Sequence, residues 1–133
     1  KKLASYRDHM NTYFVLDNLE TLRKNGRLSG VKALVASTLS IKPVMGADTG
    51  EIIQLGQSIG IKKALAKMAE IVAKEAVHPE EKMLMITHCN CKDRAESVKK
   101  MVLEKIRVKG TLVMDTKGVS SMYANDGGVI VTL

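Results

Sequence analysis

His88, Cys89 and Cys91 form the densest cluster of nucleophilic and metal-ligating side chains in this 133-residue sequence, and two chemistries would suit them. The first is a metal site. Structural zinc takes four ligands and catalytic zinc usually three, yet no second cysteine pair exists and the other histidines, His9 and His78, are isolated. If the segment is a strand, His88 and Cys89 point to opposite faces and do not readily share an ion. The second is thiol catalysis. Cys91 at the start of a helix would have a lowered pKa, but the sequence names no Asn or Asp to orient His88. A thiol or metal site at His88, Cys89 and Cys91 therefore competes with a plainer reading, a strand end carrying half-buried thiols. A disulfide across a one-residue spacing would close a strained ring, so reduced thiols in a cytoplasmic protein are expected.

No other constellation signals catalysis. Gly127-Gly128 precedes an apolar run, whereas a phosphate cradle leads from a strand into a helix. Asp115 and Asp126 read as turn residues. The expectation is a chain that is not an enzyme, with no catalytic residue, no metal and no cofactor.

A formal charge of +7 raises the possibility of a basic nucleic-acid-binding module. Against it, lysines and arginines are spread along the whole chain, and aromatic residues, the stacking platforms of single-strand binders, make up only 3%. No apolar run is long enough to span a bilayer as a helix. Eight methionines against one Phe and no Trp give an adaptable apolar palette. The first residue is Lys1 rather than Met, which suggests a fragment of something longer.

The elements that must position these residues follow from periodicity. After a polar lead-in, Lys1 to Asn11, the run Thr12 to Leu16 reads as a strand. Asp17 with Glu20 forms a capping box for a helix closed by Asn25-Gly26, and Ser29 caps a second helix over Gly30 to Leu39. Ile41 to Met45 and Glu51 to Leu55 make a hairpin, with Pro43 near a strand start or an edge. Ile61, Ala64, Leu65, Met68, Ile71, Val72 and Ala76 recur at helical spacing until Pro79. Met83 to Thr87 is a strand, Lys92 to Arg107 a helix, and Thr111 to Met114 and Val129 to Leu133 are strands. Gly118 to Gly128 reads as a loop. The sum is a single α/β domain over residues 1–133, two-layered and α+β-like, with a mixed six-stranded sheet and helices packed mainly on one face. The other face, or one end of the domain, is then left to meet something apolar.

Several of these segments resemble the DegV family of fatty-acid-binding proteins. Leu19 to Ser29 is similar to the family's leucine helix ending in Gly-Gly-Arg-Ile-Ser, with Asn25 for the first glycine and Leu28 for the isoleucine. Leu39-Ser40-Ile41-Lys42-Pro43-Val44 resembles its Leu-Asn-Ile-Lys-Pro-Ile run. Asp48 to Leu55 fits the following hairpin, Gly60 to Leu65 the Gly-x-Lys-Lys-Ala helix start, and His88 the strand-end histidine. The resemblance implies the second, C-terminal domain of such a protein, lacking an N-terminal Rossmann-like domain. It implies a long-chain fatty acid held between the two domains and presented to a fatty-acid kinase, with no chemistry by the carrier. On that basis Leu34, Ser37, Thr38, Ser120, Ser121, Met122, Tyr123 and Asn125 are candidates for lining the lipid site. Arg27, Lys62 and Lys63 are candidates for partner contact, Arg27 equally for bracing its turn. One departure stands out: Ala124 occupies the place of a family histidine that helps hold the carboxylate. Burying an acyl chain is worth about 0.8 kcal/mol per methylene, against about 1.5–3 kcal/mol for a hydrogen bond to a charged group. The tail therefore dominates affinity.

Overall fold

The computed structural model describes residues 10–26, 41–48 and 51–133, with the side chains of all of these except Val119, Ser120 and Met122. The predicted helix over 30–39, most of the polar lead-in, and the candidates Arg27, Leu34, Ser37 and Thr38 lie outside the described residues.

Six strands form one sheet. They are β1 (Thr12–Val15), β2 (Ile41–Asp48), β3 (Glu51–Ile59), β4 (Met83–His88), β5 (Gly110–Asp115) and β6 (Val129–Thr132), in the spatial order β3-β2-β1-β6-β4-β5. Neighbours are antiparallel except β4 and β5, which are parallel. Parallel strands need a crossover, and helix α3 (Lys92–Leu103) supplies it. The mixed sheet expected from the sequence is thus present. Its hairpin strands run further than the apolar residues alone suggested. Pro43 lies in β2 opposite Gln57, whereas β1 pairs only with Met45 and Gly46, so its missing amide costs β1 no bond.

Helix α2 (Ile61–Glu75) and α3 cover one face of the sheet. Ala64, Leu65, Met68 and Val72 are buried as their spacing required, against Val15, Val44, Leu84, Ile86, Val129 and Val131. Ala95, Val98 and Val102 of α3 join the same core. The Tyr13 hydroxyl donates to Glu75 at 2.9 Å, and burial, with that carboxylate second, holds the phenol protonated far above its usual range.

Three expectations need correcting. The capping box at Asp17 does not form. Helix α1 (Glu20–Lys24) starts later and is a single turn, its first amide capped by Asn18 Oδ1 at 2.8 Å, while the Asp17 carboxylate pairs with Arg94. The segment read as a loop from Gly118 contains helix α4 (Gly118–Ala124). Its Ser-rich composition carries little helix propensity, and burial of Ala124 beneath Leu16 and Leu22 makes up for it. Helix α3 ends at Leu103, four residues short of Arg107, because Lys109 turns to bond Lys82 and lead into β5.

Candidate functional site: an apolar groove at the strand ends

Strand directions decide where the loops meet. β1, β4 and β5 run the same way, so the turns after all three gather at one end of the sheet, together with the turn that precedes β6. That end holds α1, α4 and the His88 to Cys91 turn.

The sheet face opposite α2 and α3 carries a cross-strand apolar row. Met114 lies beside Thr87, Thr87 beside Ile130, Ile130 beside Phe14, and Phe14 beside Met45. Met45 is buried, but Phe14, Ile130 and Thr87 are only half-buried. Met114 and its strand-mate Leu112 are 39% and 45% exposed. Toward the loop end this face sinks into a groove of about 280 Å³ lined by Phe14, Leu16, Leu22, Ile52, Tyr123, Ala124 and Ile130. Ligand pockets run from about 300 to 1,000 Å³, so the groove has the size of an open partial site.

Polar groups brace the rim. Asn125, at φ +58 and ψ 171, ends α4 in a positive-φ conformation outside the left-handed helical well. It accepts from Thr21 Oγ1 at 3.2 Å and donates to the Asn18 carbonyl at 3.1 Å, joining α4 to α1. Ser121 and Thr116 share a hydrogen bond of 2.8 Å. Gly128 must lack a side chain: a Cβ there would sit 2.6 Å from the Ala124 carbonyl and 2.8 Å from Leu16 Cδ2.

Of the predicted lining residues, Tyr123 faces the groove, whereas Ser121 and Asn125 serve its bracing. The side chains of Ser120 and Met122 lie outside the description. Lys62 and Lys63 are exposed on the first turn of α2, on the other face of the sheet from the groove. Sequence reasoning missed Phe14, Leu16, Leu22, Ile52 and Ile130. Alternation in β1 and β6, which puts Phe14 and Ile130 opposite the helix-covered face, was the available signal.

His88 is 5% exposed. The Cys91 amide donates to its Nδ1 at 3.1 Å, which leaves the proton on Nε2, 3.2 Å from Asp115 Oδ1. Asp115 is therefore more than a turn residue. Cys89 packs in the groove-side cluster and Cys91 in the helix-side core, so the two thiols face different environments. Among the described residues, no group of three His, Cys, Asp or Glu is placed to hold a metal. Cys91 does begin α3, yet burial pushes its thiol up rather than down. A higher pKa means less thiolate, the reactive form, at a given pH. Iodoacetamide is expected to label Cys91 in the native protein several times more slowly at pH 8 than after denaturation. Peptide mass spectrometry reads this directly, and faster native labelling would reopen the thiol-catalysis reading.

Among the described residues no helix is long and apolar enough to cross a membrane. A family model described as "Uncharacterised protein, DegV family" matches residues 1–132. A DegV domain-containing protein of Clostridium perfringens is 36% identical over 102 residues, which cover 76% of this chain and 35% of that protein. The crystal structure of a DegV family protein from Ruminococcus gnavus, refined with vaccenic acid, superposes with a TM-score of 0.94 at 48% identity, covering 99% of this chain and 47% of that one. A DegV family protein from Eubacterium eligens, loaded with heptadecanoic acid, gives 0.83 at 26% identity, covering 98% and 47%. The chain thus spans about a third of the curated relative and just under half of the solved chains. Family model, relatives and fold agree: this chain belongs to the DegV family.

Proposed function

We propose that this chain is the C-terminal half of a long-chain fatty-acid carrier of the bacterial cytoplasm, and that its groove holds part of the acyl tail. The observation that carries the reading is the apolar groove at the strand ends, in a chain 48% identical to a protein whose structure holds vaccenic acid. The groove lining is a hydrocarbon surface, and the half-exposed row continuing to Met114 and Leu112 is the kind of face that a second domain or a ligand covers. An N-terminal domain in the full-length protein closes the groove into a tunnel. The carrier does no chemistry itself and hands the fatty acid to a kinase, with Arg27, Lys62 and Lys63 as the contact surface. Ala124 makes apolar contact at the groove wall, so head-group recognition falls to other residues.

The test is native mass spectrometry and lipid extraction of the full-length protein purified from lipid-replete cells. A stoichiometric long-chain fatty acid is expected. Protein that emerges empty, and that takes up no added fatty acid, contradicts the proposal.

A further inference from the structure

The groove has a mechanical weakness. One of its walls, Leu22, stands on α1, a helix of five residues, and one turn of helix does not hold its shape alone. What holds it is a set of polar links: Asn125 joins it to α4, and a further link starts outside the groove. Arg94 Nη1 donates to Asp17 Oδ2 at 2.5 Å and to the Gly127 carbonyl at 3.0 Å. Asp17 follows Leu16 on one side of the groove, and Gly127 follows the Tyr123-Ala124 wall on the other. A single guanidinium therefore ties the two turns that bound the opening. Lys42 adds a bond from its ammonium to the Asp17 carbonyl at 2.9 Å, and the same ammonium lies 3.9 Å from Asp17 Oδ1.

The post that carries Arg94 is rigid. Ala95, Val98 and Val102 anchor α3 in the core, and the Cys91 amide fixes its first turn to His88. The tie also depends on Gly127. Its φ of +91 favours glycine, and a Cβ there would press on both the Asp17 carboxylate and Arg94 Nη1. Arg94 and Asp17 are each about one-third exposed, so dissolved salt reaches the pair.

We propose that Arg94 is a positioning residue of the groove: its bonds to Asp17 and Gly127 set the gap between the Leu16 turn and the Ala124 to Gly128 turn, and so how slowly an acyl ligand leaves. This rests on the fatty-acid reading above. Losing the tie loosens the Leu16 turn from the Ala124 to Gly128 turn and frees the ligand sooner, without removing any atom from the groove lining.

The experiment follows release of a fluorescent long-chain fatty acid from the full-length protein into excess albumin, for wild type, Arg94→Met, Asp17→Asn and the double variant. Each single change is expected to raise the release rate about threefold to tenfold, as befits a partly exposed ion pair with one further charged hydrogen bond. The double variant is expected to release no faster than the quicker single one, because either change alone already severs the link between the two turns. Raising salt from about 0.05 M to about 0.5 M is expected to speed release from the wild type and to do so much less in Arg94→Met, where only the longer Lys42–Asp17 pair remains. A general loss of stability would lower the melting temperature without weakening that salt response. Unchanged release in both single variants, or a salt response as large in Arg94→Met as in the wild type, overturns the proposal while leaving the carrier function standing. A wild type that binds no fatty acid overturns both.

Discussion

Replacing Ile130 with aspartate is expected to lower fatty-acid affinity at least a hundredfold in the full-length protein. Ile130 is half-buried, sits between Phe14 and Thr87 on neighbouring strands, and lines the groove. A bound tail would seal it from water and strand the new carboxylate in hydrocarbon, where an unpaired charge costs several kcal/mol. A tenfold change in affinity corresponds to about 1.4 kcal/mol, so even about 3 kcal/mol gives the stated loss. Without ligand the same carboxylate reaches solvent, so the fold survives. Titration with a fluorescent fatty acid beside a circular-dichroism melt separates the two effects. Near-normal binding by the folded variant would place the tail elsewhere.

Replacing Ile86 with alanine makes the opposite prediction, a large loss of stability with little change in ligand preference. Ile86 is fully buried in the helix-side core, in the centre of β4, bonded between β5 and β6. Truncating a core isoleucine removes transfer energy and leaves a cavity, together about 2–5 kcal/mol. Urea unfolding should show a lower midpoint at an unchanged slope. Below its melting point, the variant should rank fatty acids as the wild type does, because Ile86 faces away from the groove. A change in that ranking would mean that the two faces of the sheet are coupled, contrary to their separate packing.

The contrast between these two residues also explains what could be read in advance. Helix α2 was legible because six apolar positions from Ile61 to Val72 repeat at helical spacing, and it ends at Glu75, shortly before Pro79. The hairpin was legible from two β-prone runs around a turn. Helix α4 was not. Its Gly and Ser content is that of a loop, and the packing that accompanies the helix among the described residues, Ala124 in a cluster with Leu16 and Leu22, joins positions more than a hundred residues apart. Asp17 misled for a related reason: its spacing to Glu20 satisfies a local rule, but Arg94, distant in sequence, offers a stronger partner for the carboxylate. The groove itself is a product of pairing register. Phe14 and Ile130 become neighbours only once β1 lies beside β6, and no short-range pattern specifies that. The sequence did contain the cue that one sheet face would be left apolar, since too few helices were available to cover both.

The resemblance supplied candidates that the geometry divides. Tyr123 is at the groove, while Ser121 and Asn125 work one layer behind it, holding α4 to α1 and to Thr116. Hydroxyl and amide groups committed to such bonds are poor first choices for a carboxylate. The bracing role suits a site whose affinity comes from its walls, at about 0.8 kcal/mol for each methylene buried.

Photolabelling tests most directly whether the acyl chain lies on the sheet face opposite α2 and α3. The full-length protein is loaded with a long-chain fatty acid bearing a diazirine near its methyl end, irradiated, and digested for peptide mass spectrometry. Adducts are expected on the peptides that carry Phe14, Leu16 and Leu22 and those that carry Tyr123 and Ile130, and competition with unlabelled fatty acid should erase them. Competable adducts confined to α2 or α3 would contradict the account.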